Sequence, residues 1–318
     1  MAARSSALKV LVTGGSGFVG RHLVPALEAA GHTVRLALRA PSSEFRSVSV
    51  AIGEIGPETD WSRALEGVDA VVHLAARVHV MRDNARGAEA FTRTNVAGTL
   101  RLAAAAAEFG ARRFVFLSSI KVNGEATFGS PFRPDDVPNP QDNYGSSKLA
   151  AEDGLRIMQG LEPVIIRPPL IHGPGAKGNL ARLCALARMG VPVPFGSLRN
   201  RRDLVGVCNL ANLIERCLWH SAPVGKVLLA SDGQPLSTPE LFRLVAEAVG
   251  SSARIFRFPV GLLMAGAKPL GFGAEIERLT QSLEVDISTT REVLGWSPSM
   301  SVFSGVSAMA RSFAGTKP

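Results

Sequence analysis

The 318-residue sequence predicts an α/β protein built on a doubly wound parallel sheet. Two observations favour this class. Short apolar runs alternate with helical patterns throughout the first half, and a glycine-rich turn follows the first apolar run. Parallel strands need crossover connections, and helices alternating with strands at this spacing supply them on both faces of the sheet. The chain is long enough to bury a complete core.

The first half divides into strands and helices at glycine and proline boundaries. A short apolar run that ends at glycines predicts a buried strand, and a helical pattern followed by glycine predicts a helix with a C-terminal cap. The predicted strands are 8–13, 33–38, 70–75, 113–118 and 163–168. The predicted helices are 18–30 before Gly31, 95–109 before Gly110, and the helix that carries Tyr144 after the loop 130–142.

Three spaced glycines, Gly14, Gly17 and Gly20, lie in the turn after the first predicted strand. They allow a tight turn, close backbone approach to a pyrophosphate, and close packing of the helix on the strand. The N-terminus of the following helix offers free N–H groups to the anion. The turn therefore predicts dinucleotide binding.

The end of the second strand bears on the choice of cofactor. Arg39 follows this strand, and no acid occurs until Glu44. An acid at this place bonds the 2′-hydroxyl of NAD, whereas an arginine accommodates the phosphate of NADP. Two interpretations stay open: tolerance of or preference for NADP, and an exposed arginine at a strand end.

The second half is less regular. It predicts a helix from about Asn179, strands at 203–207 and 226–230, and a helix that opens at Ser237 with a hydroxyl cap and ends at Gly250. We expect a dinucleotide-binding domain at 1–172, to which about 204–231 return. Residues 173–318 are expected to form a smaller, discontinuous substrate lobe over the carboxyl ends of the strands.

Composition disfavours several classes of protein. Lys plus Arg number 35 against 27 Asp plus Glu, but the arginines are scattered, and only 199–202 is dense, which suits a phosphate-bearing ligand as well as nucleic acid. Cys184, Cys208 and Cys217 lack CxxC spacing, which predicts reduced thiols in a cytoplasmic protein, with Cys208 in the core. No cluster has metal-ligand spacing. The apolar stretch 258–267 is too short for a membrane span and predicts a core or lid helix.

Tyr144 is the only tyrosine in the chain, and Lys148 follows it by four residues. On a helix, the two side chains share one face. An ammonium beside a phenol favours the phenolate and lowers the tyrosine pKa from about 10, which makes the phenol a usable acid or base. Taken alone, the pair also fits an ordinary helix surface.

The motifs occur together in the order of one known family. Glycines 14, 17 and 20, His73-Leu-Ala-Ala76, Asn95, Ser118-Ser119, Tyr144 with Lys148, and Arg167-Pro168 resemble the extended short-chain dehydrogenase/reductase family, typified by UDP-galactose 4-epimerase and nucleotide-sugar dehydratases and reductases. Arg202-Asp203 and 294–298 extend the match along the chain. The resemblance implies a Rossmann-type sheet, NAD or NADP as cofactor, a UDP-sugar substrate, and a homodimer formed by the helices that begin near Asn95 and Tyr144.

The resemblance also implies residue roles. Tyr144 would exchange a proton with the sugar oxygen, Lys148 would bond the nicotinamide ribose, and Ser119, rather than Ser118, would orient the sugar oxygen. The implied substrate contacts are Ser119, Lys121, Asn179 and Arg202. The implied cofactor contacts are Gly14, Gly17, Phe18, Val19, Gly20, Arg39, Glu54, Ile55, Leu74, Ala75, Ala76, Asn95, Tyr144 and Lys148.

Departures from the family pattern reduce the number of reactions that the resemblance allows. Ile120-Lys121 replaces the Asp-Glu pair with which the dehydratases eliminate water, so dehydration is disfavoured. The stretches 118–125 and 76–81 resemble bacterial reductases of UDP-4-keto-6-deoxy-N-acetylglucosamine, which serve surface-polysaccharide synthesis. Lys121, Arg77 and His79 either shape the sugar pocket or are loop residues outside it. His73, on a buried strand, is expected to be a core histidine.

These observations favour hydride transfer at sugar C4, with reduction of a UDP-4-keto-6-deoxy-hexosamine as the predicted reaction. The alternative is a UDP-glucose or UDP-N-acetylglucosamine 4-epimerase, which would use the same groups. A reductase for steroid-like or flavonoid-like substrates would leave Arg202 without a diphosphate. A non-catalytic NAD(P)-binding regulator would have no need of Tyr144 and Lys148.

Overall fold

The computed structural model describes residues 7–42, 44–45, 47–78, 85–267, 269 and 273–314. The strands are β1 (Lys9–Thr13), β2 (Thr33–Leu38), β3 (Val48–Ala51), β4 (Ala70–His73), β5 (Arg113–Leu117), β6 (Glu162–Arg167), β7 (Leu170–His172), β8 (Leu204–Gly206) and β9 (Val227–Leu229). Within these residues, no helix is both long and apolar enough to cross a membrane.

Helices connect and flank these strands. They are α1 (Phe18–Ala29), α2 (Ser62–Leu65), α3 (Ala85–Phe91), α4 (Gly98–Glu108), α5 (Asn143–Arg156), α6 (Asn179–Arg188), α7 (Val207–Trp219), α8 (Thr238–Ala248), α9 (Val260–Ala267), α10 (Gly273–Thr280), α11 (Ser288–Leu294) and α12 (Val302–Ala314). A π-helical turn (Thr92–Ala97) joins α3 to α4, and a 3₁₀ turn (Ile120–Val122) follows β5.

Among the described residues, seven strands form one parallel sheet in the order β3-β2-β1-β4-β5-β6-β9, which confirms the predicted doubly wound α/β fold. The strand order reverses between β1 and β4. Their last residues, Thr13 and His73, are paired in register. The loops that leave β1 and β4 therefore start side by side at the carboxyl edge, which is where such sheets bind ligands.

Apolar side chains of β1 alternate between two cores. Val10 and Val12 pack with Leu23 of α1 and Leu210 of α7, whereas Leu11 belongs to the opposite core, which contains residues of α4 and α5. Successive side chains of a strand point to opposite faces, so the sheet is covered on both sides. This arrangement fixes the first turns of α1 and α5 near the carboxyl edge.

Helices α6, α8 and α12 share a third core, which includes Leu183, Phe242 and Val306. Ser237 and Glu240 form a reciprocal capping box at the start of α8, as the hydroxyl cap predicted. Strand β9 pairs with β6 in the main sheet, whereas β8 pairs with β7 in a separate two-stranded sheet. The division into 1–172 and 173–318 remains a prediction.

Two expectations about the fold are wrong. The helix predicted from Asn95 begins ten residues earlier, at α3, and Asn95 lies inside the π-helical turn. Cys208 is exposed, because it lies on the solvent face of α7 while Cys217 lies on its buried face. The stretch 258–267, predicted to be a core or lid helix, contains α9. Leu262 is 62% exposed and α9 packs on α10 at the surface, so the core alternative is excluded and the lid alternative stays a prediction.

Candidate active site

The glycine turn has no room for a side chain at Gly14 or Gly20. Gly14 has φ +70°, and a Cβ built on it would lie 2.7 Å from the backbone nitrogen of Ala75. A Cβ on Gly20 would lie 2.5 Å from the carbonyl oxygen of Gly14, because α1 packs directly on the turn. Gly17, the N-cap of α1, supplies no side-chain cap. The first N–H groups of α1 thus face a backbone cradle, which fits the pyrophosphate of a dinucleotide.

A chain of hydrogen bonds behind this turn fixes the tautomer of buried His73. The Thr99 hydroxyl donates to the carbonyl oxygen of Asn95 at 2.7 Å, so it accepts from His73 Nε2 at 2.9 Å. His73 Nδ1 must then accept from the Thr13 hydroxyl at 2.6 Å, and Thr13 Oγ1 accepts from the Ala75 N–H. Burial, assisted by the charge of Lys148, lowers the His73 pKa to about 3. His73 is a neutral core histidine, as predicted.

Asn95 ties the loop after β4 to α5. Its side chain is buried, accepts from the Arg77 N–H at 2.8 Å and donates to the Arg77 carbonyl oxygen at 3.0 Å. Its amide also donates to Ser147 Oγ at 3.0 Å. Ser147 in turn donates to the carbonyl oxygen of Tyr144. Asn95 thereby holds the predicted cofactor loop, which contains Leu74, Ala75 and Ala76, against the helix of the predicted catalytic pair.

Tyr144 and Lys148 lie one turn apart on α5. The Tyr144 ring is half-buried, with the Phe91 ring centroid 6.3 Å from its own. Lys148 is buried, and its Nζ donates to the carbonyl oxygen of Leu117 at 2.8 Å, 5.9 Å from the centroid of the Tyr144 ring. The structure thus brings the phenol and the ammonium to one face, at the carboxyl end of β5.

The predicted lowering of the Tyr144 pKa is opposite to what this structure gives. Burial raises the Tyr144 pKa above its usual value, and the charge of Asp142 raises it further. Burial also lowers the Lys148 pKa to about 7, against the opposing effect of Glu152. The ammonium is directed at Leu117 and at the face of the Phe116 ring, 4.4 Å from its centroid, rather than at the phenol.

The two serines after β5 have different surroundings. Ser118 is buried, and its hydroxyl donates to Glu152. Ser119 is half-exposed, and its Oγ accepts from the Lys121 N–H at 3.3 Å as the cap of the 3₁₀ turn. Only Ser119 is therefore accessible to a substrate, which agrees with the preference for Ser119 over Ser118.

A buried ion pair joins α5 to the end of β6, next to the end of β5. The Arg167 guanidinium donates to both carboxylate oxygens of Glu152, at 2.9 and 2.6 Å, and to Asn123 Oδ1 at 2.9 Å. Glu152 is one turn beyond Lys148 on α5, and Arg167 ends β6. The pair therefore holds α5 against the sheet one helical turn away from Lys148.

Charged side chains extend from α5 toward Arg202. Lys121 donates to Asp142 at 2.5 Å and to Glu125 at 2.6 Å. The other carboxylate oxygen of Glu125 is 3.9 Å from Arg278 Nε. Arg202 donates to the carbonyl oxygen of Arg278 at 2.8 Å. Lys121 and Arg202, both predicted substrate contacts, are thus connected through Glu125 and Arg278.

Other predicted residues lie around this centre. Arg39 and Glu54 are exposed beyond β2 and β3, and Ile55 packs against Gly98 at the start of α4. Phe18 and Val19 begin α1, and Asn179 is exposed at the first position of α6. The Arg77 side chain is exposed, and only its backbone bonds Asn95. His79 lies outside the described residues.

Sequence reasoning missed the residues that connect these groups. Thr13, Thr99 and Ser147 act through hydroxyls whose partners are far away in the chain, so no local pattern marks them. Asp142 carried a usable signal: an Asp three residues before Gly145, at the start of a helical pattern, is typical of an N-cap.

The fold and the glycine cradle define a dinucleotide-dependent enzyme of the short-chain dehydrogenase/reductase type. Residues 10–229 match the model of the NAD dependent epimerase/dehydratase family, and the chain belongs to this family. Its cofactor is therefore NAD or NADP, and the residues of the cradle fit that group.

Individual relatives carry more specific names. The chain is 40% identical over 311 residues to a UDP-glucose 4-epimerase of Vibrio cholerae, covering 96% of this chain and 95% of the relative. It is 31% identical over 273 residues to a GDP-6-deoxy-D-mannose reductase of Pseudomonas aeruginosa, covering 81% and 85%. Among solved structures, MoeE5 in complex with UDP-glucose and NAD is 25% identical with a TM-score of 0.76, covering 96% of this chain and 98% of that chain.

Proposed function

We propose that the protein is a UDP-hexose 4-epimerase that interconverts UDP-glucose or UDP-N-acetylglucosamine with the galacto isomer. The observation that carries this proposal is the 40% identity to the Vibrio cholerae UDP-glucose 4-epimerase along almost the whole of both chains. Reduction of a 4-keto sugar, favoured by the sequence alone, becomes the second candidate. The 31% identity to a GDP-6-deoxy-D-mannose reductase supports it.

Tyr144 is the proposed acid/base in both reactions. A nicotinamide dinucleotide supplies hydride acceptance and donation at sugar C4. Tyr144 Oη takes the proton from the C4 hydroxyl during oxidation and returns it during reduction. Ser119 Oγ, accessible at the end of β5, bonds the same sugar oxygen and orients it. In an epimerase, the keto sugar must rotate in the site between oxidation and reduction, so that hydride returns to the opposite face of the sugar.

Lys148 is the proposed holder of the nicotinamide ribose. Its ammonium is buried at the end of β5, where the carbonyl oxygen of Leu117 accepts one of its three donors. The remaining donors are free to bond ribose hydroxyls. A positively charged nicotinamide nearby would favour the phenolate of Tyr144, counteracting the effect of burial.

Arg202 is the proposed ligand of the substrate diphosphate. A guanidinium bonds phosphate oxygens in a bidentate manner. One Arg202 nitrogen, Nη1, is used by the carbonyl oxygens of Arg278 and Gln281, which orients the group. Lys121 pairs with Glu125, which approaches Arg278, and Lys121 is proposed to face the sugar.

Cofactor preference and assembly are also proposals. Arg39, exposed after β2, supports tolerance of NADP. A homodimer through the helices around Asn95 and Tyr144 rests on the family resemblance, because Ala103, Ala105 and Ala106 of α4 are already buried within the subunit. Light scattering on the purified protein measures the assembly directly.

One pair of assays separates the two candidate reactions. The protein is incubated with UDP-glucose or UDP-N-acetylglucosamine and catalytic NAD, and products are resolved by chromatography and NMR. It is also incubated with UDP-4-keto-6-deoxy-N-acetylglucosamine and NADH or NADPH. The epimerase proposal expects galacto products without net cofactor consumption. Stoichiometric consumption of reduced cofactor, with no galacto product, would overturn it in favour of the reductase.

The Tyr144→Phe variant controls for a catalytic role. It keeps the ring against Phe91 but removes the proton-exchanging oxygen. We expect cofactor binding to persist and turnover to fall by at least about 100-fold. Full turnover by this variant would reject the assignment of Tyr144 as acid/base.

A further inference from the structure

We propose that Asp142 is a positioning residue of the candidate active site, whose carboxylate clamps the first turn of α5 to the turn that follows Ser119. The inference rests on the proposed acid/base role of Tyr144. It assigns a function to a residue that lies two positions before Tyr144 and for which the motifs give no role.

The first arm of the clamp is local. Asp142 has an extended backbone, with φ −137° and ψ 165°, and its Oδ1 accepts from the Gly145 N–H at 2.7 Å. Its carbonyl oxygen accepts from the N–H and the hydroxyl of Ser146, each at 3.0 Å. These bonds fix the turn of helix that contains Tyr144.

The second arm crosses to another element. Asp142 Oδ2 accepts from Lys121 Nζ at 2.5 Å, and Lys121 lies in the 3₁₀ turn capped by Ser119. One carboxylate therefore bonds both the helix of the acid/base and the turn of the substrate-orienting hydroxyl. Its two oxygens are used separately, one for each element.

Close packing at Gly145 supports the clamp independently. A Cβ on Gly145 would lie 2.8 Å from the carbonyl oxygen of Lys121 and 3.1 Å from Cβ of Pro140. The first turn of α5 thus touches the Lys121 backbone with no side chain between them. The Asp142–Lys121 bond spans this same contact, so the two elements cannot separate without breaking it.

The charge of Asp142 also acts on Tyr144. Burial favours a higher Asp142 pKa, but bonds from Lys121 and Gly145 outweigh it and hold the pKa below its usual range. Asp142 is therefore ionised at neutral pH, and its charge contributes to the raised pKa of Tyr144. Lys121 partly neutralises that charge. The ionisable groups packed around Asp142 and Tyr144 within the described residues are Lys121, Glu125, Lys148 and Arg278.

Two substitutions separate this role from simple structural support. Asp142→Asn keeps a capping oxygen for Gly145 but removes the charge and the ion pair. Lys121→Met removes the ion pair but leaves the Asp142 charge uncompensated. Both open the clamp, so both are expected to lower kcat several-fold. Removing the Asp142 charge should lower the Tyr144 pKa, so the midpoint of the acid limb of the kcat–pH profile should fall by about one pH unit in D142N. In K121M the uncompensated charge should raise that midpoint.

The sole tyrosine permits a second readout that does not depend on turnover. With NAD bound, tyrosinate absorbance in the ultraviolet reports Tyr144 alone. We expect the midpoint of this titration to fall in D142N and to rise in K121M. Asp153→Asn is the matched control, because Asp153 is on the same helix and pairs with Arg156 at the surface. Its midpoint and profile should coincide with those of the unmodified protein.

The outcomes are distinct. Opposite shifts in D142N and K121M, with none in D153N, support the clamp and its charge effect. If Tyr144→Phe is inactive but the D142N and K121M profiles coincide with the parent at unchanged kcat, the inference is wrong and the proposed function stands. If Tyr144→Phe keeps full turnover, the proposed function itself fails.

Discussion

Lys148 donates its ammonium hydrogen bond to the carbonyl oxygen of Leu117, 2.8 Å away, at the carboxyl end of β5. This bond anchors the middle of α5 to the strand that leads into Ser118 and Ser119. The ammonium is thereby held within the sheet edge, where burial disfavours its charge. The contact with Leu117 therefore sets the position of Lys148, and the burial of the ammonium at that position lowers its pKa.

The first prediction concerns the pH dependence of stability. Burial lowers the Lys148 pKa to about 7 from 10.5, so the unfolded chain binds more protons than the native state between these values. The native state accordingly gains stability from this residue as the pH rises from 7 to 10.5. We expect Lys148→Met to be most stabilising, relative to the parent, near pH 6.5, and less so near pH 9.5. Urea unfolding of the cofactor-free protein tests this, and a pH-independent difference would contradict it.

His73 gives the second prediction, at lower pH. Its pKa is about 3 in the native state and 6.5 in the reference state, so the unfolded state binds the extra proton between these values. The native state therefore loses stability as the pH falls through this window. His73→Gln should be less stable near neutrality, because the bonds to Thr13 and Thr99 are disturbed, but its stability should fall less steeply on acidification. An equal slope in the parent and the variant would show that His73 does not titrate on unfolding.

The third prediction tests the glycine cradle. Gly20→Ala places a Cβ 2.5 Å from the Gly14 carbonyl oxygen, so α1 must move away from the turn. We expect a loss of about 1–3 kcal/mol in the free energy of unfolding and weaker NAD binding. Gly266→Ala is the control, since nothing lies within 4 Å of its added Cβ on α9. The control should be neutral or slightly stabilising, and equal NAD affinity in both variants would contradict the cradle.

The buried ion pair yields the fourth prediction. Glu152 and Arg167 have side chains that are 0% and 1% exposed, so Glu152→Gln leaves a guanidinium uncompensated in the interior. The expected cost is about 3–5 kcal/mol in the free energy of unfolding. The double variant Glu152→Leu with Arg167→Met should regain much of this loss, because neither charge remains. A double variant as unstable as Glu152→Gln alone would refute this account of the network.

The fifth prediction addresses substrate binding at Arg202. Arg202→Met should weaken the affinity for UDP by roughly 10–100-fold, because charge-assisted bonds to the diphosphate are lost. Arg199→Met removes a neighbouring arginine whose guanidinium bonds the carbonyl oxygens of Gly196 and Leu198 instead. Calorimetric titration with UDP compares the two. An equal loss in both variants would indicate a general charge effect rather than a site at Arg202.

Much of the fold was predictable because it depends on local signals. Strand Thr33–Leu38, the start of α1 at Phe18 and the capping box at Ser237 each follow from neighbouring residues. The helix start predicted at Asn95 was wrong because a local signal was overridden by distant contacts. Asn is a common N-cap, but here its amide turns inward to bond Arg77 and Ser147, which are distant in sequence.

The candidate site was only partly predictable. From the family resemblance, the sequence predicted Tyr144, Lys148 and Ser119, rather than Ser118, as site residues. The structure places Tyr144 and Lys148 on one face and leaves Ser119 accessible, and their roles remain proposals. The sequence could not give the pKa of Tyr144. That quantity depends on burial and on Asp142, and the lysine expected to lower it is directed at Leu117 instead.

Spacing along the chain was enough to predict the parallel sheet, apart from β3, and the glycine turn that fits a dinucleotide, since spacing along strands and helices decides which residues meet at one edge. How the groups of the candidate site are held depends instead on contacts that form in the folded protein. Glu152 with Arg167, His73 with Thr13 and Thr99, and Asp142 with Lys121 join residues far apart in the chain. Such pairs form only when the helices have packed on the sheet, and for His73 that burial lowers the pKa to about 3.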